Sequence, residues 1–475
     1  IMESEIFHLL GVKPVWDKRK TVKGVKLVPA SELGRPRIDV IITTTGVYRD
    51  NWPDKIMLID KAVHLAAEAN DTPNYVRENS ELIYAWLRTH TNYTEAEAHN
   101  LSMLRVFAPP DGKWGTGLTH ATIRSSTWEN ESTLADLYIG TMSHVYGENI
   151  WGEQLQDLFR QNLNGTEIAI FSRSSNVLGI LDTDHPYEFL GGLGLAVRSV
   201  TGETPTMYIN NLRDPNRPTT ETLSQFLSRE LRTRYFNPHY IEGMMEHGYA
   251  GAREIADGFA HLWGWEVMDP DTVSDFMWGE MYDVYVQDKY DMGLEGWFNE
   301  NNPWALQAMT ARMLEAIRKG YWDPSDEVKT ALAETYQKSV EEYGVTCCGH
   351  TCGNPFINDY VSGILSAPIE AEPQGEEPST QISRRGGGGG RRTEEEKGLA
   401  NETAEVSGVS KVGEELKKPP EETGETAEKV KKGRVMKEEE PASALPISGA
   451  PLMGLIVVIA ILVFVGVGFW LKRRK

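Results

Sequence analysis

Residues 172–192 (SRSSNVLGILDTDHPYEFLGG) concentrate groups that can hold a cation or move a proton: Asp182, Asp184 and His185, preceded by Arg173 and Asn176. Carboxylates and an imidazole this close can ligate a divalent metal or act as bases. A helical pattern starts at Tyr187, so Asp184 also suits a helix N-cap; the number of converging polar groups favours the chemical reading. Residues 44–50 (TTGVYRD), with Arg49, follow a strand-like run, and open α/β sheets bind ligands at that edge. Residues 107–118 (FAPPDGKWGTGL) form a stiff glycine-rich segment without the Gly-Lys-Ser/Thr end of a phosphate loop, and read as a structural loop. In residues 242–254 (EGMMEHGYAGARE), Glu242 and Glu246 lie one helical turn apart, and His247 precedes a Gly-Tyr break that would let it project into a cleft. A lone histidine of this kind is more often structural. All three cysteines fall in Cys347-Cys348-Gly349-His350-Thr351-Cys352. Three thiols and an imidazole suit zinc or cobalt, although the paired CxxC spacing of a zinc ribbon is missing. A short-range disulfide competes in an oxidising compartment.

These segments need a scaffold. Residues 38–43 (IDVIIT) read as a buried parallel strand, and residues 54–70 beyond the turn carry apolar residues at helical spacing. Residues 167–171 and 207–209 are further strands; residues 187–200, 220–235, 249–263, 303–319 and 325–343 are helical. The fold class expected is α/β followed by a mainly α-helical region. Residues 1–210 would be the α/β part and residues 211–365 the helical part of one domain. The net charge of −21 over 475 residues argues against a nucleic-acid partner.

Residues 366–448 are rich in Glu, Lys, Pro, Gly and Thr and bury too little apolar surface to fold, so a disordered tether is expected. Residues 449–475 contain an apolar run, 452–471, followed by Lys472, Arg473, Arg474 and Lys475. About 20 apolar residues span a bilayer as a helix, with the basic cluster on the cytoplasmic side. The expectation is a single-pass anchor, a cytoplasmic tail and an extracytoplasmic bulk. That orientation requires a secretory signal upstream of Ile1.

The ordered motifs resemble a known family, the large subunit of cobaltochelatase and magnesium chelatase, over residues 35–355. They are Arg37-Ile38-Asp39-Val40 with Gly46-Val47-Tyr48-Arg49-Asp50; the loop 107–118; Leu181-Asp182-Thr183-Asp184 with Tyr187 and Gly191-Gly192; Asn237-Pro238, Gly243-Met244, His247-Gly248-Tyr249, Gly251 and Arg253-Glu254; and Asn302-Pro303 with Gly320-Tyr321-Trp322. Residues 346–355 look more like the cobalt than the magnesium branch. Family members are much longer, and the tether and apolar run are not part of the usual soluble enzyme. The resemblance implies a tetrapyrrole-binding subunit that inserts a divalent metal, cobalt before magnesium or nickel, with AAA+ partner subunits using ATP and magnesium. It places Asp182, Asp184, His185 and His247 in the catalytic role, and Arg49, Arg173, Asn176, Tyr187, Gly191, Gly192 and Tyr249 around the macrocycle. Cys347, Cys348, His350 and Cys352 are the separate metal candidates. A protein held outside the cytoplasm could not meet ATP-driven partners, and the alternative is a surface protein that captures metal or tetrapyrrole.

Overall fold

The structure is a computed structural model; it describes residues 2–214, 216–345 and 354–366, and the backbone strand 456–461. Its centre is an eight-stranded mixed sheet. We number the strands in chain order. β1 (Val12–Trp16) and β2 (Val22–Leu27) form a separate antiparallel hairpin. The sheet contains β3 (Asp39–Thr44), β4 (Val106–Ala108), β5 (His144–Gly147), β6 (Ile150–Gln154), β7 (Thr166–Arg173), β8 (Thr206–Asn211), β9 (Thr219–Thr222) and β10 (Ile456–Ile461). Its order is β6-β5-β4-β3-β10-β7-β8-β9, parallel from β4 to β8 and antiparallel towards both edges.

β3 explains the layering. All six of its residues are buried. Ile41 packs into the large helical core, while Val40 and Ile42 point to a second core containing the helices Met2–Leu10 and Pro53–Glu68. A strand apolar on both faces is what a parallel sheet covered on both sides demands. The large core runs without a break across residue 210 and takes in the helices Tyr249–Met268, Pro303–Arg318 and Asp326–Tyr343.

Three expectations change. Residues 187–200 are not a plain helix: Tyr187–Gly191 is a π-helical turn leading into the helix Gly192–Thr201. Residues 220–235 begin in β9, because the β-branched Thr219–Thr222 segment pairs with β8, and end in a second π-turn, Leu231–Tyr235. Within the run 452–471, the described residues 456–461 differ from the expected helix. Residues 456–461 form β10 between β3 and β7 and not a helix. The central strand of a parallel sheet and a membrane helix share the same continuous hydropathy, and Ile-Val-Val-Ile-Ala-Ile is β-branched enough to choose the strand. No described helix is long and apolar enough to cross a membrane. The rest of that run, the tether from residue 367, and Cys347, Cys348, His350 and Cys352 lie outside the described residues.

Candidate functional site: a carboxylate–imidazole cluster at the sheet edge

The parallel strands β3, β4, β7 and β8 end on one edge of the sheet, so the segments after Thr44, Ala108, Arg173 and Asn211 gather there. Thr45 caps the first of these by accepting from the Tyr48 amide (3.1 Å). The Gly46 amide donates to the Trp114 carbonyl, and a Cβ on Gly46 would lie 2.1 Å from the Lys113 carbonyl oxygen. Only glycine lets the two loops approach so closely.

Arg49 is fully buried and serves that same junction. Its guanidinium donates to the carbonyls of Pro109, Pro110 and Lys113, pairs with Asp50, and lies over the Tyr146 ring. Arg173 is likewise buried and donates to the carbonyls of Leu178 and Gly179. Both cations, expected around the macrocycle, brace the loops that shape the site. Sequence shows a cation after a strand; it does not show that backbone carbonyls surround it.

The glycine-rich loop meets the acidic segment through Glu188. Its Oε1 accepts from the Thr116 amide (2.7 Å), the Thr116 hydroxyl (3.0 Å) and the Gly117 amide (3.3 Å). Burial pushes the Glu188 carboxyl above its ordinary range, against those bonds and the nearby His185. One helical turn earlier, His185 Nδ1 donates to Asp184 Oδ1 (2.6 Å). Burial works against the Asp184 charge, but the hydrogen bond and charge of His185, aided by His261 and Thr119, hold its carboxyl down at about 2. The same hydrogen bond raises His185, with burial opposing. Asp184, His185 and Glu188 can each offer a ligand atom within 4.8 Å of the others, a donor set for one divalent cation. The first helical turn brings them together, the Glu188 amide donating to the Asp184 carbonyl (2.9 Å), and it runs on into the π-turn. Such turns inside helices are frequent at functional sites.

Asp182 stands apart from this cluster. It accepts from the Gly179 amide (2.7 Å), pairs with Arg234, and lies 3.4 Å from the Tyr235 hydroxyl. It thereby ties the segment before the first π-turn to the second one, Leu231–Tyr235. His247 is exposed at the corner between the helices Pro238–Met245 and Tyr249–Met268, outside the cluster. Tyr249 is exposed on the same corner, and Asn176 is exposed with its amide 3.4 Å from the Arg213 carbonyl. Tyr187 is buried, and a Cβ on Gly264 would fall 2.7 Å from its ring. Gly191 and Gly192 are packing positions: a Cβ would strike Met268 at the first, and Leu118 and Tyr138 at the second.

Residues absent from the sequence-based candidates complete the surroundings. Glu188 falls four residues after Asp184, and that spacing was its legible signal. His261 donates from Nδ1 to the Leu181 carbonyl (2.6 Å), and its ring lies 6.1 Å from that of Tyr187. Asp257, one turn before His261, is raised by burial against the pull of His261 and Arg253. Nothing local in the sequence links this helix to residues some seventy positions earlier.

Comparison with known proteins identifies the family. Residues 1–329 match the family model described as CobN/Magnesium Chelatase. The match extends N-terminally beyond the motifs, to the first helix and the hairpin. An uncharacterized protein of Methanocaldococcus jannaschii is 33% identical over 336 residues, covering 70% of this chain and 27% of that protein. The aerobic cobaltochelatase subunit CobN of Sinorhizobium sp. is 32% identical, covering 70% of this chain and 26% of its own length. The magnesium-chelatase H subunit of Cereibacter sphaeroides is 31% identical, at 69% and 27% coverage. Among solved structures, the catalytic subunit of cobaltochelatase from Mycobacterium tuberculosis superposes with a TM-score of 0.66 at 31% identity, over 71% of this chain and 28% of that one. The chain thus spans about a quarter of the length of the relatives it matches. By these motifs, this fold and these relatives, the chain belongs to the CobN/magnesium chelatase family.

Proposed function

We propose that this chain provides the metal-insertion site of a tetrapyrrole-binding chelatase subunit, and that its substrates are a divalent metal, cobalt before magnesium or nickel, and a metal-free corrinoid or porphyrin. The Asp184–His185–Glu188 cluster carries this reading. Insertion must strip water from the cation and remove two pyrrole protons from the ring. Asp184, held ionised, replaces water around the ion. His185, raised by its partner, gives up its proton as the cation arrives. Glu188, raised by burial, is a stronger base than an ordinary carboxylate and suits pyrrole deprotonation. An imidazole beside carboxylates favours cobalt or nickel over magnesium, which prefers an all-oxygen shell. The cobaltochelatase and magnesium-chelatase relatives support the reading at the level of the family. AAA+ partners that hydrolyse ATP belong to the same proposal.

The test is insertion by the full chain supplied with partner ATPases, ATP and magnesium. Cobalt entry into a metal-free corrinoid or porphyrin is followed by absorbance, and ring binding by tryptophan quenching. Asp184→Asn and Glu188→Gln are expected to slow insertion more than they weaken ring binding. If no tetrapyrrole binds at micromolar concentration, the chelatase reading fails.

A further inference from the structure

The β1–β2 hairpin is the one strongly basic surface among the described residues that the chelatase reading leaves unused. Between Val12 and Leu27 lie Lys13, Lys18, Arg19, Lys20, Lys23 and Lys26 against a single carboxylate, Asp17, in a chain whose net charge is −21. All six cations are exposed. Among the described residues, only Lys13 has a carboxylate in reach, Glu32 at 3.6 Å. Asp17 offsets only one of the six charges, and its Oδ1 accepts the amides of Arg19 (2.8 Å) and Thr21 (2.9 Å) and so orders the turn. Lys13 and Lys26 face each other directly across the ladder, a placement that costs stability. Folding gains nothing from such an arrangement.

The tip also carries apolar surface. Trp16 is 60% exposed and Val15 39%, beside the basic turn. The root is fixed by contrast. Val12 and Val25 are buried, and Arg37 donates to the carbonyls of Gly11 (2.6 Å) and Val28 (2.7 Å). The hairpin is therefore a rigid arm with a wet, cationic, tryptophan-bearing end.

We propose that this arm docks on an anionic membrane surface, Trp16 entering the headgroup layer and the lysines and Arg19 facing the lipid phosphates. Charge complementarity requires an anionic partner. Tryptophan beside lysine and arginine is the pairing that bilayer interfaces select. The acidic remainder of the chain does not forbid approach, since charge further than about 8 Å away is screened at physiological salt.

The test is flotation of the full chain with phosphatidylcholine vesicles that either contain or lack phosphatidylglycerol. Any contribution of the apolar run at residues 452–471 is common to every arm. The wild type is expected to bind the anionic vesicles preferentially and to lose that preference in high salt. The charge reversal K18E/R19E/K23E, confined to exposed side chains, is expected to weaken anionic-vesicle binding about a hundredfold. Circular dichroism confirms that the variant folds. Trp16→Ala is expected to weaken binding with the salt dependence retained. Equal binding to both vesicle types, or a charge-reversed chain that binds as wild type, overturns the proposal. A Trp16→Ala chain that binds as wild type also overturns it, because the tryptophan then takes no part in docking.

Discussion

Replacing His185 by glutamine tests the electrostatics of the cluster most directly. Asp184 is held at about 2 against an ordinary 3.8, and the hydrogen bond and charge of His185 are the main opponents of its burial. At about 1.36 kcal/mol per unit, that displacement sets a ceiling of about 2.4 kcal/mol on what the carboxylate gains from its surroundings. The side chains of Asp184 and His185 are 31% and 48% exposed, so solvent screening reduces the pair to on the order of 1 kcal/mol. The depressed carboxyl contributes stability above about pH 4, and this is lost as pH falls through about 2. The raised imidazole contributes below about 6.5, its unfolded value, and this is lost as pH rises through the higher folded value. The stability deficit of H185Q should therefore peak between about pH 4 and 6.5 and shrink on both sides. Urea unfolding across pH measures it, and a cycle with D184N isolates the pair. Cobalt binding should also release a proton below the His185 pKa, affinity weakening about tenfold more per unit fall in pH in the wild type than in H185Q, where only Glu188 still competes for protons. A deficit that stays flat with pH, or cobalt affinity with the same pH slope in both proteins, would refute the assigned ion pair.

Glu188→Ala leaves the Thr116 amide without its acceptor and should cost about 2 kcal/mol, with Glu188→Gln costing less because it retains an acceptor; urea midpoints separate them. Gly264→Ala forces a Cβ against the Tyr187 ring and should destabilise by about 1–3 kcal/mol. Gly279→Ala, within the helix Asp275–Tyr285 and with open space where its Cβ would stand, should be neutral or stabilising by up to about 1 kcal/mol; thermal melts compare the two. Glu266 is pushed up to about 8 by burial, against the hydrogen bond from Trp278 Nε1 (2.7 Å). The native state keeps a proton that the unfolded chain has released, so stability should fall as pH rises from 4.5 to about 8. Glu266→Gln should flatten that slope, and an unchanged slope would place the titration elsewhere.

Much of the scaffold was legible because hydropathy encodes it locally. The β-branched run at residues 38–43 is β3 with a shift of one residue, and the apolar spacing of residues 249–263 marks a helix that continues to Met268. Asp184 and His185 were legible as adjacent candidate cation ligands. Glu188 was one turn away, hidden within a pattern that otherwise reads as core. Arg49 and Arg173 look in sequence like cations awaiting an anion, and only burial shows that carbonyls occupy them. His261 and Asp257 arrive from a distant helix, so no local window contains them together with Asp184. Residues 456–461 lie in the run read as a membrane helix, and hydropathy alone does not distinguish such a span from a central strand of a parallel sheet.

The contact between Glu188 and the glycine-rich loop has a thermodynamic corollary. A single oxygen receives both the Thr116 and Gly117 amides, so a cation that engages it competes with the loop for the same lone pairs. Occupancy of the cluster and order in residues 115–117 then form one linked equilibrium, and the linkage is reciprocal. Whatever immobilises the loop weakens cation capture by the same factor by which capture loosens the loop. Amide exchange at Thr116 and Gly117 would report metal loading from the far side of the site, without any probe on the metal itself.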